Sequence, residues 1–199
     1  MHVQWHAGGL RIGPMAQPVS DAWQAMSMQH DARIAQITGQ PFGSAYTQGL
    51  LNDRTAILDS APPITAMLAA DELGGRGLDM LLQLQKAHYV DGLHIASEAV
   101  LVSLAGQLGL PGERFRKTLR QLSGPMVQRH MQASRGLMEK LGAPGYPSFV
   151  VEACGQFKRL TTGAYLGRPT EFAAHLKTLA NNASAKLVQL AAERIAASH

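Results

Sequence analysis

One thiol, Cys154, stands among 199 residues that also hold eight histidines and fourteen carboxylates. A lone cysteine cannot close an intramolecular disulfide. To act as a nucleophile it would need its pKa lowered from about 8.5 by a positive neighbour. Lys158 and Arg159 are near it in sequence only, so Cys154 is expected to be an inert small residue in or beside a hairpin turn. His2, His6, His30, His94, His130, His175 and His199 show no ligand spacing with cysteine or carboxylates, so no metal site is expected. Gly8-Gly9 and Gly74-Gly75 are loop glycines, because the lysine and Ser/Thr of a phosphate-cradling loop are missing. The stretch richest in chemical information is Gly145-Tyr146-Pro147-Ser148-Phe149-Val150-Val151-Glu152. Proline cannot donate to a sheet ladder, so Pro147 in front of an apolar, β-branched run marks the mouth of a strand. A cis Tyr146–Pro147 bond would make it a turn at the edge of a site. It would also set the Tyr146 backbone outward, ready for an extended ligand.

The elements that must position this turn follow from periodicity and breakers. Val3 to Ala7 alternates apolar and polar before Gly8-Gly9, which predicts a short strand. Ser20 is placed to cap a helix from about Asp21 to Ile37, stopped by Gly39. A shorter helix is expected from Ser44 to Leu51. Pro62 and Pro63 can open a helix running to Leu73. Leu78, Leu81, Leu82, Gln85 and Tyr89 define one face of the next. Ser97 caps another, striped by Val100, Leu101, Leu104 and Leu108. The basic stretch Arg114 to Arg120 reads as a solvated helix face with Phe115 and Leu119 inward. Val127, Met131, Ser134, Met138 and Leu141 mark a further helix ending at Gly142. Ser148–Glu152 and Phe157–Leu160 then read as a β-hairpin. Pro169 starts a helix with Phe172, Leu176 and Leu179 inward, and a last helix covers about Ala185 to Ala196.

Composition sets the class. Hydrophobic residues make up 46% and charged residues 16%, a globular balance. No apolar run approaches the roughly 18 residues needed to span a membrane. No basic n-region followed by an apolar stretch opens the chain, so the cytoplasm is the expected compartment. The net charge of +4 is not gathered with aromatic residues into a nucleic-acid motif. Neither nucleic acid nor membrane is an expected partner.

The chain resembles the DsbA family of thioredoxin-fold proteins, particularly the cytoplasmic FrnE-like branch. The resemblance rests on His6-Ala7-Gly8-Gly9-Leu10, Ile37 to Gly43, Asp59-Ser60-Ala61-Pro62-Pro63, Gln85 to Gly92, Gly145-Tyr146-Pro147-Ser148-Phe149 and Tyr165-Leu166-Gly167-Arg168-Pro169, in that order and spacing. It implies an α/β fold, a thioredoxin-like sheet interrupted by a large all-helical insertion. Residues 1–19 and 143–182 would form the thioredoxin-like part, 20–142 the insertion and 183–199 a C-terminal helix. It implies thiol–disulfide oxidoreduction through a Cys-x-x-Cys pair facing a cis proline that matches Pro147. The backbone of Tyr146 would pair with an extended peptide or protein substrate.

The departure from the family lies at the cysteine pair. Val3 to Ala7 corresponds to the family's second strand, and the first β-α unit with its Cys-x-x-Cys is expected to be missing. No catalytic residue is therefore assigned, nor any cofactor. Gly145, Tyr146, Pro147 and His88 are the candidate substrate-binding residues, although a histidine placed like His88 is more often a core or rim residue of its helix. The expected function is that of a DsbA-like family member inactive as given. The alternative is a redox-dead module that binds peptides beside Pro147. A helical interaction protein, without a sheet from the hairpin segments, is a third possibility. An unpaired sheet edge could be filled by a sliding strand, by a longer natural chain or by a second copy, which makes a homo-oligomer possible.

Overall fold

The computed structural model describes residues 3–153 and 155–181. Cys154 and the expected helix Ala185–Ala196 lie outside the described residues. The chain divides into two compact units, residues 5–136 and residues 1–4 with 137–199.

The larger unit is helical. Its regular elements are β1 (Gln17–Pro18), α1 (Asp21–Thr38), β2 (Ile57–Leu58), α2 (Ala61–Gly74), α3 (Gly77–Tyr89), α4 (Glu98–Gln107), α5 (Gly112–Leu122) and α6 (Pro125–Lys140), which runs on into the second unit. Local chemistry sets the boundaries. The Ser20 hydroxyl accepts from the Trp23 N–H at 3.2 Å and opens α1. Gly39 closes that helix at φ 72°, where a side chain would be strained. Pro62 and Pro63 occupy the first turn of α2, where their missing N–H groups cost nothing.

Small residues let α2 approach its neighbours closely. Ala66, Ala69 and Ala70 are fully enclosed and pack with Met80, Leu84 and Ala87 of α3, Leu101, Leu104 and Ala105 of α4, and Phe115 and Leu119 of α5. Phe115 is the largest side chain with no exposure at all. The charged face of α5 meets solvent, and Arg120 and Arg116 hold Glu98 of α4 at 2.8 and 3.3 Å.

Val3 to Ala7 is not a strand. The groups a neighbouring strand would satisfy are taken by side chains of α6. His130 Nε2 accepts from the Ala7 N–H at 3.2 Å, and the Arg135 guanidinium donates to the Gly8 and Gly9 carbonyls at 3.0 and 2.6 Å. Trp5 packs against the helical core, its ring 5.4 Å from that of His130. The alternation in the sequence therefore serves an extended segment pinned to a helix. The expected Ser44–Leu51 helix is a π-helical turn, Ala45–Gly49, followed by a 3-10 turn, Leu50–Asn52. The β1–β2 ladder, pairing Gln17 with Leu58 and Pro18 with Ile57, is too short to leave a periodic signal.

In the second unit the hairpin forms as expected. β3 (Phe149–Ala153) pairs antiparallel with β4 (Gln156–Leu160), in register from Phe149↔Leu160 to Ala153↔Gln156. A helix over residues 169–181, here α7, follows. Phe172 of α7 meets the Phe149 ring edge-on at 5.4 Å and the Tyr165 ring at 5.4 Å, which ties the hairpin to the helix.

Candidate functional site: the turn before the hairpin

Gly145, Tyr146 and Pro147 form the turn that leads into β3. The Tyr146–Pro147 peptide is cis. The Ser148 hydroxyl donates back to the Gly145 carbonyl at 2.6 Å, closing the turn over three residues. Tyr146 is 40% exposed, and Pro147 is exposed beside it. Among the described residues neither the N–H nor the C=O of Tyr146 has a hydrogen-bond partner. Buried backbone polar groups are almost always paired. An exposed unpaired set at a strand mouth can take up the backbone of an extended chain. β3 likewise has one neighbour, β4, among the described residues. Ser148 is the residue of this turn that residue type alone did least to single out. The only hint was a hydroxyl three residues after a glycine.

His88 lies in the other unit, on α3. Its ring sits 5.3 Å from Tyr46 and 4.7 Å from Tyr89, and Phe42 joins the same cluster 5.6 Å from Tyr89. Burial pushes the His88 imidazole down to about 4, so the ring is neutral near pH 7. Its Nδ1 is enclosed and unpaired among the described residues. Tyr46 donates its hydroxyl proton to Asp31 at 2.9 Å. Burial, followed by that carboxylate, raises the Tyr46 phenol, while burial raises the Asp31 carboxyl. The cluster is an aromatic packing unit that joins α1, the π-helical turn and α3.

Among the described residues no three His, Cys, Asp or Glu side chains gather as a metal site would require. No described helix is long and apolar enough to cross a membrane.

The comparisons decide the family. The chain is similar to the cytosolic disulfide reductase DsbM from Pseudomonas aeruginosa, at 46% identity over 88% of this chain and 82% of that one, with a TM-score of 0.83. The chain belongs to the DsbA-like family of thioredoxin-fold proteins. A DsbM structure with GSH matches at 45% identity, over 88% of this chain and 83% of that one, with a TM-score of 0.81. A candidate protein disulfide isomerase from Nitrosomonas europaea shares the fold at 24% identity, over 74% of this chain and 69% of that one, with a TM-score of 0.63. No family model and no curated protein matches. In this DsbA-like chain the α/β fold is the thioredoxin-like type with a helical insertion, and the hairpin segments do form a sheet. That removes the third possibility, a helical protein without one.

Proposed function

We propose that this chain holds an extended peptide or protein substrate of thiol–disulfide exchange at the Gly145–Ser148 turn, in the cytoplasm. The observation that carries the proposal is the backbone of exposed Tyr146, unpaired among the described residues, in a chain 46% identical to a cytosolic disulfide reductase. A segment laid antiparallel or parallel to the turn would give its own N–H and C=O to Tyr146 and leave its side chains free. Such pairing is tolerant of sequence and suits a protein that meets many disulfides. GSH, present in one DsbM structure, is itself a peptide-like thiol of the right class.

The exchange needs a thiolate that attacks one sulfur of the substrate disulfide and forms a mixed disulfide. A second thiolate then attacks that bond, becomes part of a new disulfide and releases the substrate as a dithiol. These 199 residues hold one cysteine, so they do not supply both thiolates. In this proposal they bind substrate and are inactive by themselves in dithiol–disulfide exchange. The second form of the proposal is a binding module that never turns over, favoured by the same single cysteine. For His88 we propose a packing role within the Tyr46–Tyr89 cluster.

The test has two arms. Insulin reduction with GSH as electron donor should show no turnover above the uncatalysed rate for the purified chain. Binding of an unfolded, fluorescently labelled peptide should be measurable and should weaken in Pro147→Thr. Turnover by the 199-residue chain would remove the claim of inactivity. Peptide binding indifferent to Pro147→Thr would remove the turn as the site.

A further inference from the structure

Among the described residues Arg11 is a cation without a counterion. It is half-buried, and its Nε is fully enclosed with no hydrogen-bond partner among the described residues. Nor does any described carboxylate pair with its guanidinium, although the other half-buried arginines, Arg76 and Arg116, are engaged by Asp79 and Glu98. An enclosed donor without a partner is costly, and structures keep such groups paired; the two Nη groups of Arg11 are not enclosed in this way.

The position of Arg11 is fixed. Its N–H donates to the Ser60 hydroxyl at 3.1 Å, and its C=O accepts from the Ser60 N–H at 2.7 Å. These bonds tie the residue to the start of α2. The guanidinium lies 4.2 Å from the centre of the Trp23 ring on α1. A guanidinium over an indole face keeps its N–H donors at the edge of its own plane. That plane is what a carboxylate recognises through two parallel hydrogen bonds.

Nearby charges leave the fork available. Asp59, next to Ser60, is turned to its own helix and accepts from the Ala61 N–H at 2.8 Å. Asp21, on the same helix as Trp23, is held by Arg54, which also donates to Gln24 at 2.7 Å. α2 carries no cation, and the one arginine of α1, Arg33, is ten residues from Trp23, about 15 Å along the axis. A single positive charge on an aromatic face matches a monovalent carboxylate better than a phosphate dianion.

We infer that Arg11, lying over Trp23, is a binding site for the carboxylate of a ligand from outside this chain. The inference does not depend on the turn at Pro147. Two sources share this chemistry, a free small acid and the C-terminus of a peptide.

The experiment reads Arg11 directly in the full chain. The Nε–H resonance of Arg11 and the indole N–H of Trp23 are followed by nitrogen-15 NMR at constant ionic strength in chloride. The probes are acetate, N-acetyl-triglycine as its free acid, the same peptide as its amide, and inorganic phosphate. The expected result is a saturable shift of both resonances with acetate and the free acid and none with the amide. A free acid that saturates at much lower concentration than acetate assigns the peptide terminus. Equal saturation assigns small acids. No shift with either carboxylate, or a larger response to phosphate, overturns the inference. Arg11→Lys should keep the melting temperature and lose the Trp23 response. A retained response also overturns it. If that variant does not fold, the wild-type titration decides alone.

Discussion

The Ser148 hydroxyl and the Gly145 carbonyl meet at 2.6 Å, and this one bond closes the turn that displays Tyr146 and Pro147. Ser148→Ala removes the donor and leaves the carbonyl to water. The expected cost is about 1 kcal/mol in the order of the turn. If the turn is the substrate site, peptide affinity should fall by a factor of about 5, on the conversion of 1.4 kcal/mol per tenfold. Fluorescence anisotropy with a labelled unfolded peptide checks this. Unchanged affinity would separate the turn from binding.

His88 should make the protein sensitive to acid. Its folded pKa of about 4 lies below the ordinary 6.5, so the unfolded chain binds the extra proton first. The stability this neutral ring contributes is complete above about pH 6.5 and is lost as pH falls toward 4. At pH 5 the loss is about 2 kcal/mol relative to pH 7. His130, also lowered by burial, adds in the same direction. Asp31, raised by burial, acts oppositely at lower pH. Urea unfolding at pH 5 and pH 7 for wild type and His88→Phe isolates the His88 part. The variant should lose most of the pH difference, and an identical difference in both proteins would refute it.

Phe115 is completely enclosed where α2, α4 and α5 meet. Phe115→Ala should destabilise the helical unit by about 3–5 kcal/mol, through lost burial and the cavity left among residues that cannot collapse into it. Phe115→Leu should cost markedly less. Chemical denaturation followed by circular dichroism measures both.

The hairpin offers a test of self-association. β3 has β4 as its one neighbour among the described residues, and Phe157 on β4 is 46% exposed. Open edges and exposed aromatics favour pairing between chains. We expect concentration-dependent association by sedimentation, reduced in Phe157→Lys. Residue 157 faces Glu152 across the ladder, so the lysine gains an opposite charge and the hairpin itself should persist. A wild-type chain that stays monomeric at all concentrations would argue against a homo-oligomer.

Much of the helical unit was legible because its boundaries are local chemistry. Ser20 and Gly39 frame α1, and Pro62-Pro63 open α2, whatever lies around them. The hairpin was legible for the same reason, since Pro147 and the β-branched run after it constrain the backbone within a few residues. Ser148 was not, because its role depends on a rotamer that reaches back to Gly145. Val3 to Ala7 misled because alternation does not supply a ladder partner, and the Ala7 N–H goes instead to His130 of α6, more than a hundred residues away.

By itself, then, the sequence determined the long helices of the larger unit, the hairpin, the proline at its mouth and the single cysteine, all of which follow from residue type and short-range spacing. Tertiary structure alone decided that His130 and Arg135 would satisfy an extended segment, that His88 would lose its proton affinity among Tyr46 and Tyr89, and that Arg11 would lie on Trp23 without a carboxylate. Those outcomes depend on which distant groups meet in a dehydrated place. Burial and pairing set the energy of a polar group there, and neither is written in its neighbours along the chain.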